Sequence, residues 1–239
     1  METLMKFTTA YLWETGGRMV NEDSLTVFGA TKAGRDYLLA AVADGIGGLC
    51  SGEIASGHIT YRLKLAFEMA ISRHSVIDSD KLLRIILREL YSCHKDLLKL
   101  GKLNNTSYGT TVSALIVKDR RAYCISIGDS RIYRFNRFLH KIVQIGRNHV
   151  DHRGRLTRCI GSGAFRRIKV RRLTLHRGDT FLIATDGFYR NITPQLNILC
   201  EEAHNDIDGL ALKLEKIYRA GCSMGNKDNA SAILVRFGR

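Results

Sequence analysis

Four aspartates stand at the ends of runs that read as strands, three of them beside glycine. Asp44 closes the apolar run Tyr37–Ala43 and is followed by Gly45, Gly47 and Gly48. Asp186 follows Phe181-Leu182-Ile183-Ala184-Thr185 and precedes Gly187. Asp129 sits in Gly128-Asp129-Ser130-Arg131, and Asp228 in Asn226-Lys227-Asp228-Asn229, just before the last apolar run. Asn21-Glu22-Asp23 adds a fifth acidic spot ahead of the first run. A single Asp-Gly pair is most simply a turn. Four acids at strand ends are a different matter. If their strands are neighbours in a sandwich, the carboxylates converge on one rim, where burial and mutual repulsion are costly unless cations neutralise them. An all-oxygen donor set without paired His or Cys suits hard ions, Mg²⁺ or Mn²⁺. Glycine beside the acid lets a backbone carbonyl approach such an ion and leaves room for water.

The elements that must carry these acids are legible as patterns. Ser24–Gly29 and Tyr37–Ala43 read as strands joined by a polar turn. Gly52–Arg73 and Asp80–Leu100 carry apolar residues at helical spacing; Ser79 or Asp80 is the expected cap of the second, and Gly101 its stop. Strands then return over Thr111–Val117, Arg121–Ile127, Arg131–Phe135, Leu139–Val143, Ile168–Leu175 and Thr180–Thr185. A late helix over Ile207–Ala220 precedes a last strand, Ala230–Phe237. Helices and strands are segregated, so the expected fold is α+β: a four-layer α/β/β/α sandwich of two packed antiparallel sheets flanked by helices.

The chain has 239 residues, is 45% hydrophobic and contains one proline, which fits a single domain over 1–239 with no linker. The N-terminal stretch lacks a long apolar core and a cleavage site, and no run of about 18 apolar residues occurs, so neither a signal peptide nor a membrane span is expected. Six scattered cysteines read as reduced thiols of a cytoplasmic protein rather than a zinc site. The net charge of +14 raises the question of nucleic acid. Much of it falls in Arg166-Arg167-Ile168-Lys169-Val170-Arg171-Arg172, which reads as a strand with a basic solvated or substrate-steering side. No nucleic-acid motif accompanies it.

Taken in order, Arg18-Met19-Val20-Asn21-Glu22-Asp23, Asp44-Gly45-Ile46-Gly47-Gly48, Gly109-Thr110-Thr111, Gly128-Asp129-Ser130-Arg131, Leu156-Thr157-Arg158 with Gly161, Asp186-Gly187 and Asp228-Asn229 resemble the motifs of the metal-dependent protein phosphatase 2C family. The likeness runs from about Arg18 to Phe237, and Gly52-Glu53-Ile54-Ala55-Ser56 looks like the bacterial branch. The resemblance implies hydrolysis of phosphoserine and phosphothreonine in proteins by a metal-activated water, with no phosphoenzyme intermediate. It implies two Mn²⁺ or Mg²⁺ ions. Asp44 would bridge them, Asp186 and Asp228 would complete one site, and Glu22 and the Gly45 carbonyl the other. Asp129 would help to hold a weaker third ion. Asp23 would orient water, and Arg18 would grip the phosphate, for which a guanidinium fork is well shaped. Gly109–Thr111 and Asn229 would be structural, and Arg158 either structural or on the substrate side. Phosphorylated proteins, including a serine/threonine kinase or its targets, would be the partners of a monomer acting away from membranes and nucleic acid.

Two departures stand out. Ile46 occupies the place where animal members carry a histidine thought to protonate the leaving group. The leaving-group proton would then come from a metal-bound water, or the serine/threonine alkoxide would depart with help from the metal. Between Val143 and Leu156 only Gln144–Arg155 remains of a usually longer flap. His149, Asp151 and His152 within it could be read as metal ligands, but a basic, mobile loop is the simpler reading. The alternative overall is a catalytically weak module that keeps the fold and recognises phosphorylated or acidic partners.

Overall fold

The run at Tyr37–Ala43 is apolar throughout because both of its faces are buried. Tyr37, Leu39 and Ala41 face one hydrophobic cluster, whereas Leu38, Ala40 and Val42 face another. Successive side chains of a strand point to opposite faces, so a run without polar alternation marks a strand covered on both sides. In the computed structural model, which describes residues 6–46, 51–136, 141–163, 167–190, 196, 198 and 209–238, this run is β3 (Arg35–Asp44), near the middle of the molecule.

The other strands are β1 (Phe7–Glu14), β2 (Asp23–Lys32), β4 (Val112–Lys118), β5 (Arg121–Ile127), β6 (Arg131–Asn136), β7 (Lys141–Ile145), β8 (Val170–Thr174), β9 (Thr180–Ala184) and β10 (Ala230–Phe237). They form two five-stranded sheets, in the orders β1-β10-β9-β6-β7 and β2-β3-β4-β5-β8, with every pairing antiparallel. Helices α1 (Gly52–Ser72) and α2 (Ser79–Leu103) pack on the second sheet. The short α3 (Asp186–Tyr189) and α4 (Leu210–Ser223) cover the first. The three hydrophobic clusters are therefore the three interfaces of a four-layer sandwich, which is the expected α+β architecture. No described helix is long and apolar enough to cross a membrane.

The differences from expectation are local. β1 was not foreseen: only Ala10 and Leu12 are buried, while Tyr11 and Trp13 stay exposed, so aromatic residues obscure its alternation. The cap of α2 is Asp78, whose carboxylate accepts the N–H groups of Asp80 and Lys81 at 2.9 and 3.0 Å, rather than Ser79 or Asp80. α2 also runs through Gly101, whose carbonyl accepts the Thr106 N–H, and stops only at Leu103. β8 begins at Val170, two residues later than expected, and β7 runs on to Ile145, two residues past its expected end. Leu139 and His140 of the expected β7, and the start of the expected late helix at residues 207 and 208, lie outside the described residues, as do Gly47, Gly48, Cys50 and Arg166.

Candidate metal centre

The register of the two sheets brings the acids together. Asp23 opens β2 and pairs with Asp44 at the end of β3. Asp129 lies in the turn between β5 and β6. Asp186 follows β9, and Asp228 precedes β10. Arg131 at the start of β6 pairs with Ala184 at the end of β9, and Val112 at the start of β4 with Ile127 at the end of β5, so all these strand ends share one rim of the sandwich. One carboxylate oxygen each from Asp44, Asp129 and Asp186 lies within 4.8 Å of the others.

Backbone contacts hold the cluster. The Asp44 N–H donates to Thr111 Oγ1 at 3.0 Å, and the Asp44 carbonyl accepts the Thr111 N–H and the Thr110 hydroxyl at 2.8 Å each. Thr110 and Thr111 thus position Asp44 from behind. Asp23 is 3% exposed, and its Oδ2 accepts the Thr185 hydroxyl at 2.7 Å, which ties one sheet to the other directly under the site. Asn229 is also structural. Its Oδ1 accepts the Glu22 N–H, and its Nδ2 donates to the carbonyls of Thr15 and Val20. The Tyr189 hydroxyl donates to the Asp129 carbonyl at 2.9 Å, and the Arg131 guanidinium lies 4.0 Å from the Tyr189 ring centre.

Electrostatically the rim is in deficit of positive charge. Burial, then the neighbouring Asp23, Asp186, Asp129 and Asp228, raise the Asp44 carboxyl well above the usual range. Asp23 is raised to about 7, first by burial and then by Asp186 and Asp228, against the pull of its hydrogen bonds to Thr185 and Ser231. Burial also raises Asp186, with the Arg190 guanidinium opposing it. Arg190 reaches Asp186 at 2.7 Å and Asp129 at 3.4 Å. Asp129 Oδ1 is buried with no hydrogen-bond partner. An orphaned oxygen amid acids that resist ionising, with oxygen donors throughout, is what a site for hard divalent cations requires.

The remaining residues of interest lie around this core. Arg18 donates from Nε to Asp228 Oδ1 at 3.0 Å, with a second nitrogen at 2.9 Å, and its side chain is more than half exposed. The Gly45 N–H donates to the Glu22 carbonyl at 3.0 Å. A Cβ on Gly45 would strike the backbone of Gly52 and Glu22, and one on Gly187 the Asn229 carbonyl oxygen, so glycine is obligatory at both positions. Gly52, opening α1, in turn leaves space for the Glu22 carboxylate. Asp44, Asp129 and Asp186 are thus brought within mutual ligating reach, and the Asp228 charge bears on both Asp44 and Asp186. Glu22 stands to the side, against Gly52.

The His149–Asp151–His152 segment is not a metal trio. His149 faces Gly128, accepting its N–H at Nδ1 (3.2 Å), and Asp151 pairs with Arg155 at 2.8 Å. A bridge between Val150 and Leu156 closes the segment into a tied turn. Arg158 donates to the Arg167 carbonyl at 3.1 Å. Thr185, Tyr189 and Arg190 were not foreseen. For Arg190 a signal existed, since it lies four residues after Asp186 and a one-turn helix brings such a pair together.

A profile of the protein phosphatase 2C family matches residues 16–236. The chain belongs to that family. Among solved structures, PppA, described as a key regulatory component of T6SS in Pseudomonas aeruginosa, is 23% identical with a TM-score of 0.78, over 98% of this chain and 99% of that one. Stp1, a serine/threonine phosphatase from Staphylococcus aureus, is 22% identical with a TM-score of 0.83, over 99% and 97%. The Mycobacterium tuberculosis serine/threonine phosphatase PstP/Ppp is 19% identical with a TM-score of 0.78, over 99% and 100%. At these identities the likeness speaks for the fold. No curated protein sequence matches the chain.

Proposed function

We propose that this protein hydrolyses phosphoserine and phosphothreonine in proteins with the help of divalent cations, Mn²⁺ or Mg²⁺, held at the acidic rim. The observation that carries this reading is the convergence of Asp44, Asp129 and Asp186 within 4.8 Å in a chain of the protein phosphatase 2C family. Asp44 would be shared by two ions, with Asp186 and Asp228 on one side and Glu22 and the Gly45 carbonyl on the other. When bound there, such cations would supply an acidified water and offset phosphoryl charge.

The chain's own groups have distinct tasks. Arg18 would bind the substrate phosphate with its exposed guanidinium, steadied by Asp228. Asp23, pinned by Thr185, would orient water beside Asp44. No thiol nucleophile is needed: burial pushes the Cys93 and Cys124 thiols up to about 12, far from thiolate chemistry at neutral pH. Ile46 offers no proton, so the leaving oxygen takes its own from solvent. Arg190 bears on the number of ions. Its guanidinium lies between Asp129 and Asp186, where a weaker third ion would bind, and competes with it as a tethered cation. The substrates would be targets of a serine/threonine kinase. Free thiols at Cys93, Cys124, Cys159 and Cys222 suit the reducing cytoplasm. We take residues 1–239 as one catalytic unit, acting as a monomer.

The test is hydrolysis of a small aryl phosphate and of a phosphothreonine peptide, with Mn²⁺, with EDTA, and in the Asp186→Asn variant. Turnover that needs the metal and is lost in the variant is expected. Absence of turnover under every divalent ion would leave a binding module in place of an enzyme.

A further inference from the structure

A second feature lies one strand away from the acids. A cavity of about 1360 Å³ opens between α2, β5, β7, β8 and the tied turn. Six cations line it: Arg147, Arg158, Arg167, Lys169, Arg171 and Arg172. Among the described residues no carboxylate does. Of these, Arg172 approaches an acid, Asp80, at 4.0 Å, whereas Arg147, Arg167, Lys169 and Arg171 have no ion-pair partner among the described residues. The floor is apolar, built from Leu87, Tyr91, Ile145 and Val170 among others.

The cavity is also positioned to take a strand. Among the described residues β8 is the last strand of its sheet, paired with β5 along one edge and with no strand on the other. Tyr91 and Val170 pack on the helical side of that sheet, while Cys124 belongs to the core between the sheets, and all three line the cavity. The space therefore wraps the free edge of β8 from one face to the other. An open edge presents unpaired backbone N–H and C=O groups to any extended chain laid beside it. The cavity wall continues into the metal centre as well. His149 lines the cavity and exchanges hydrogen bonds with Gly128, the neighbour of Asp129: its N–H donates to the Gly128 carbonyl at 2.9 Å. Burial, then Arg158 and Lys169, hold the His149 ring below its usual pKa, a sign of the positive field there.

We propose that an extended acidic segment of the phosphoprotein substrate adds to the free edge of β8 in this cavity, so that the enzyme selects phosphoserine and phosphothreonine flanked by acidic residues. Cations along the strand select the charge, the open edge selects extended backbone, and the adjoining metal centre receives the phosphate. The inference rests on the phosphatase reading for its choice of ligand.

The test separates the two. Fluorescence anisotropy with an unphosphorylated, Asp/Glu-rich peptide measures docking without turnover, in the full chain and in a Lys169→Glu/Arg171→Glu variant, whose substitutions fall on exposed positions. Thermal unfolding confirms that the variant is folded, and Lys169→Ala/Arg171→Ala serves if it is not. Binding is expected to weaken by about tenfold or more on charge reversal, and with rising salt. For turnover, KM on an acid-flanked phosphothreonine peptide should rise by a similar factor, while the small aryl phosphate is unaffected. Amide hydrogen exchange at residues 168–174 should slow when the peptide is bound. Equal binding of acidic and neutral peptides, unslowed exchange in this segment, or an oligonucleotide binding more tightly than the acidic peptide and lost in the same variant would each overturn the proposal. If no phosphate ester is turned over yet the acidic peptide still docks on β8, the phosphatase reading fails and the docking site stands.

Discussion

The acidic rim and the basic cavity are neighbours with opposite physics. At the rim, Asp23, Asp129 and Asp186 are buried, and each is held by the protein: Asp23 by Thr185, Asp129 by Tyr189 and Arg190, Asp186 by Arg190. In the cavity, Arg147, Arg167, Lys169, Arg171 and Arg172 are exposed, and their charge faces water. Buried like charges interact through a medium that screens poorly, so they store repulsion until a counter-ion arrives. Exposed like charges are screened within about 8–10 Å by salt and cost the fold little. The first arrangement suits a tightly bound cation, and the second suits a weak, salt-sensitive grip on an anion. A chain with net charge +14 thus keeps its concentrated negative charge where strand ends converge.

The contrast can be broken most severely at Asp44. Asp44→Asn should reduce metal-dependent turnover by more than about 10²-fold, beyond the loss typical of residues that merely support a metal ligand. The same change should raise the thermal midpoint of the metal-free protein, by about 2–4 °C per kcal/mol of repulsion relieved. A variant that loses activity and also loses metal-free stability would show that the rim does not store repulsion. Asp23→Asn should cost about 10–100-fold in turnover or metal affinity, measured as a titration of activity with Mn²⁺.

A pH series sharpens the same point. Asp23 is raised from 3.8 to about 7, and Asp44 and Asp186 are raised as well. In the folded chain these carboxyls keep protons that the unfolded chain has already released. Their contribution to stability is therefore complete below the ordinary carboxylate pKa and is lost as pH rises through the folded value. The melting temperature in EDTA should accordingly fall more steeply between about pH 4 and pH 7 for the wild type than for Asp23→Asn. Saturating Mn²⁺ should flatten that slope.

Smaller effects are expected at Arg190. Removing its guanidinium in Arg190→Ala frees the space between Asp129 and Asp186. Calorimetric titration should then find an additional Mn²⁺ ion, or tighter binding of the weakest one, relative to the wild type. Unchanged stoichiometry and affinity would show that Arg190 does not compete for that place. In the cavity, raising salt should weaken acidic-peptide binding while leaving the Mn²⁺ dependence of aryl phosphate hydrolysis almost unchanged, because only the exposed charges are screened.

Local pattern and spacing carried much of this molecule. The doubly buried β3 announces itself as an unbroken apolar run, α1 shows helical spacing, and β10 has the expected bounds, Ala230–Phe237. The acids were visible because charge at the end of an apolar run is rare without a reason. β1 was hidden by its exposed Tyr11 and Trp13, since an aromatic face looks buried in a sequence whether or not anything covers it. The tied turn closed by the Val150–Leu156 bridge was also out of reach. His149 reads as a possible ligand until Gly128 is seen to occupy it.

By itself, then, the sequence determined the four-layer architecture, the acids at strand ends and the family, because hydrophobic period and residue type are local properties. Tertiary structure alone decided which of those acids come within 4.8 Å of one another, that Arg190 bridges Asp129 and Asp186, and that the basic run lies along the last described strand of its sheet. These are distances between residues far apart in the chain. They follow from sheet order and register, which no single segment contains.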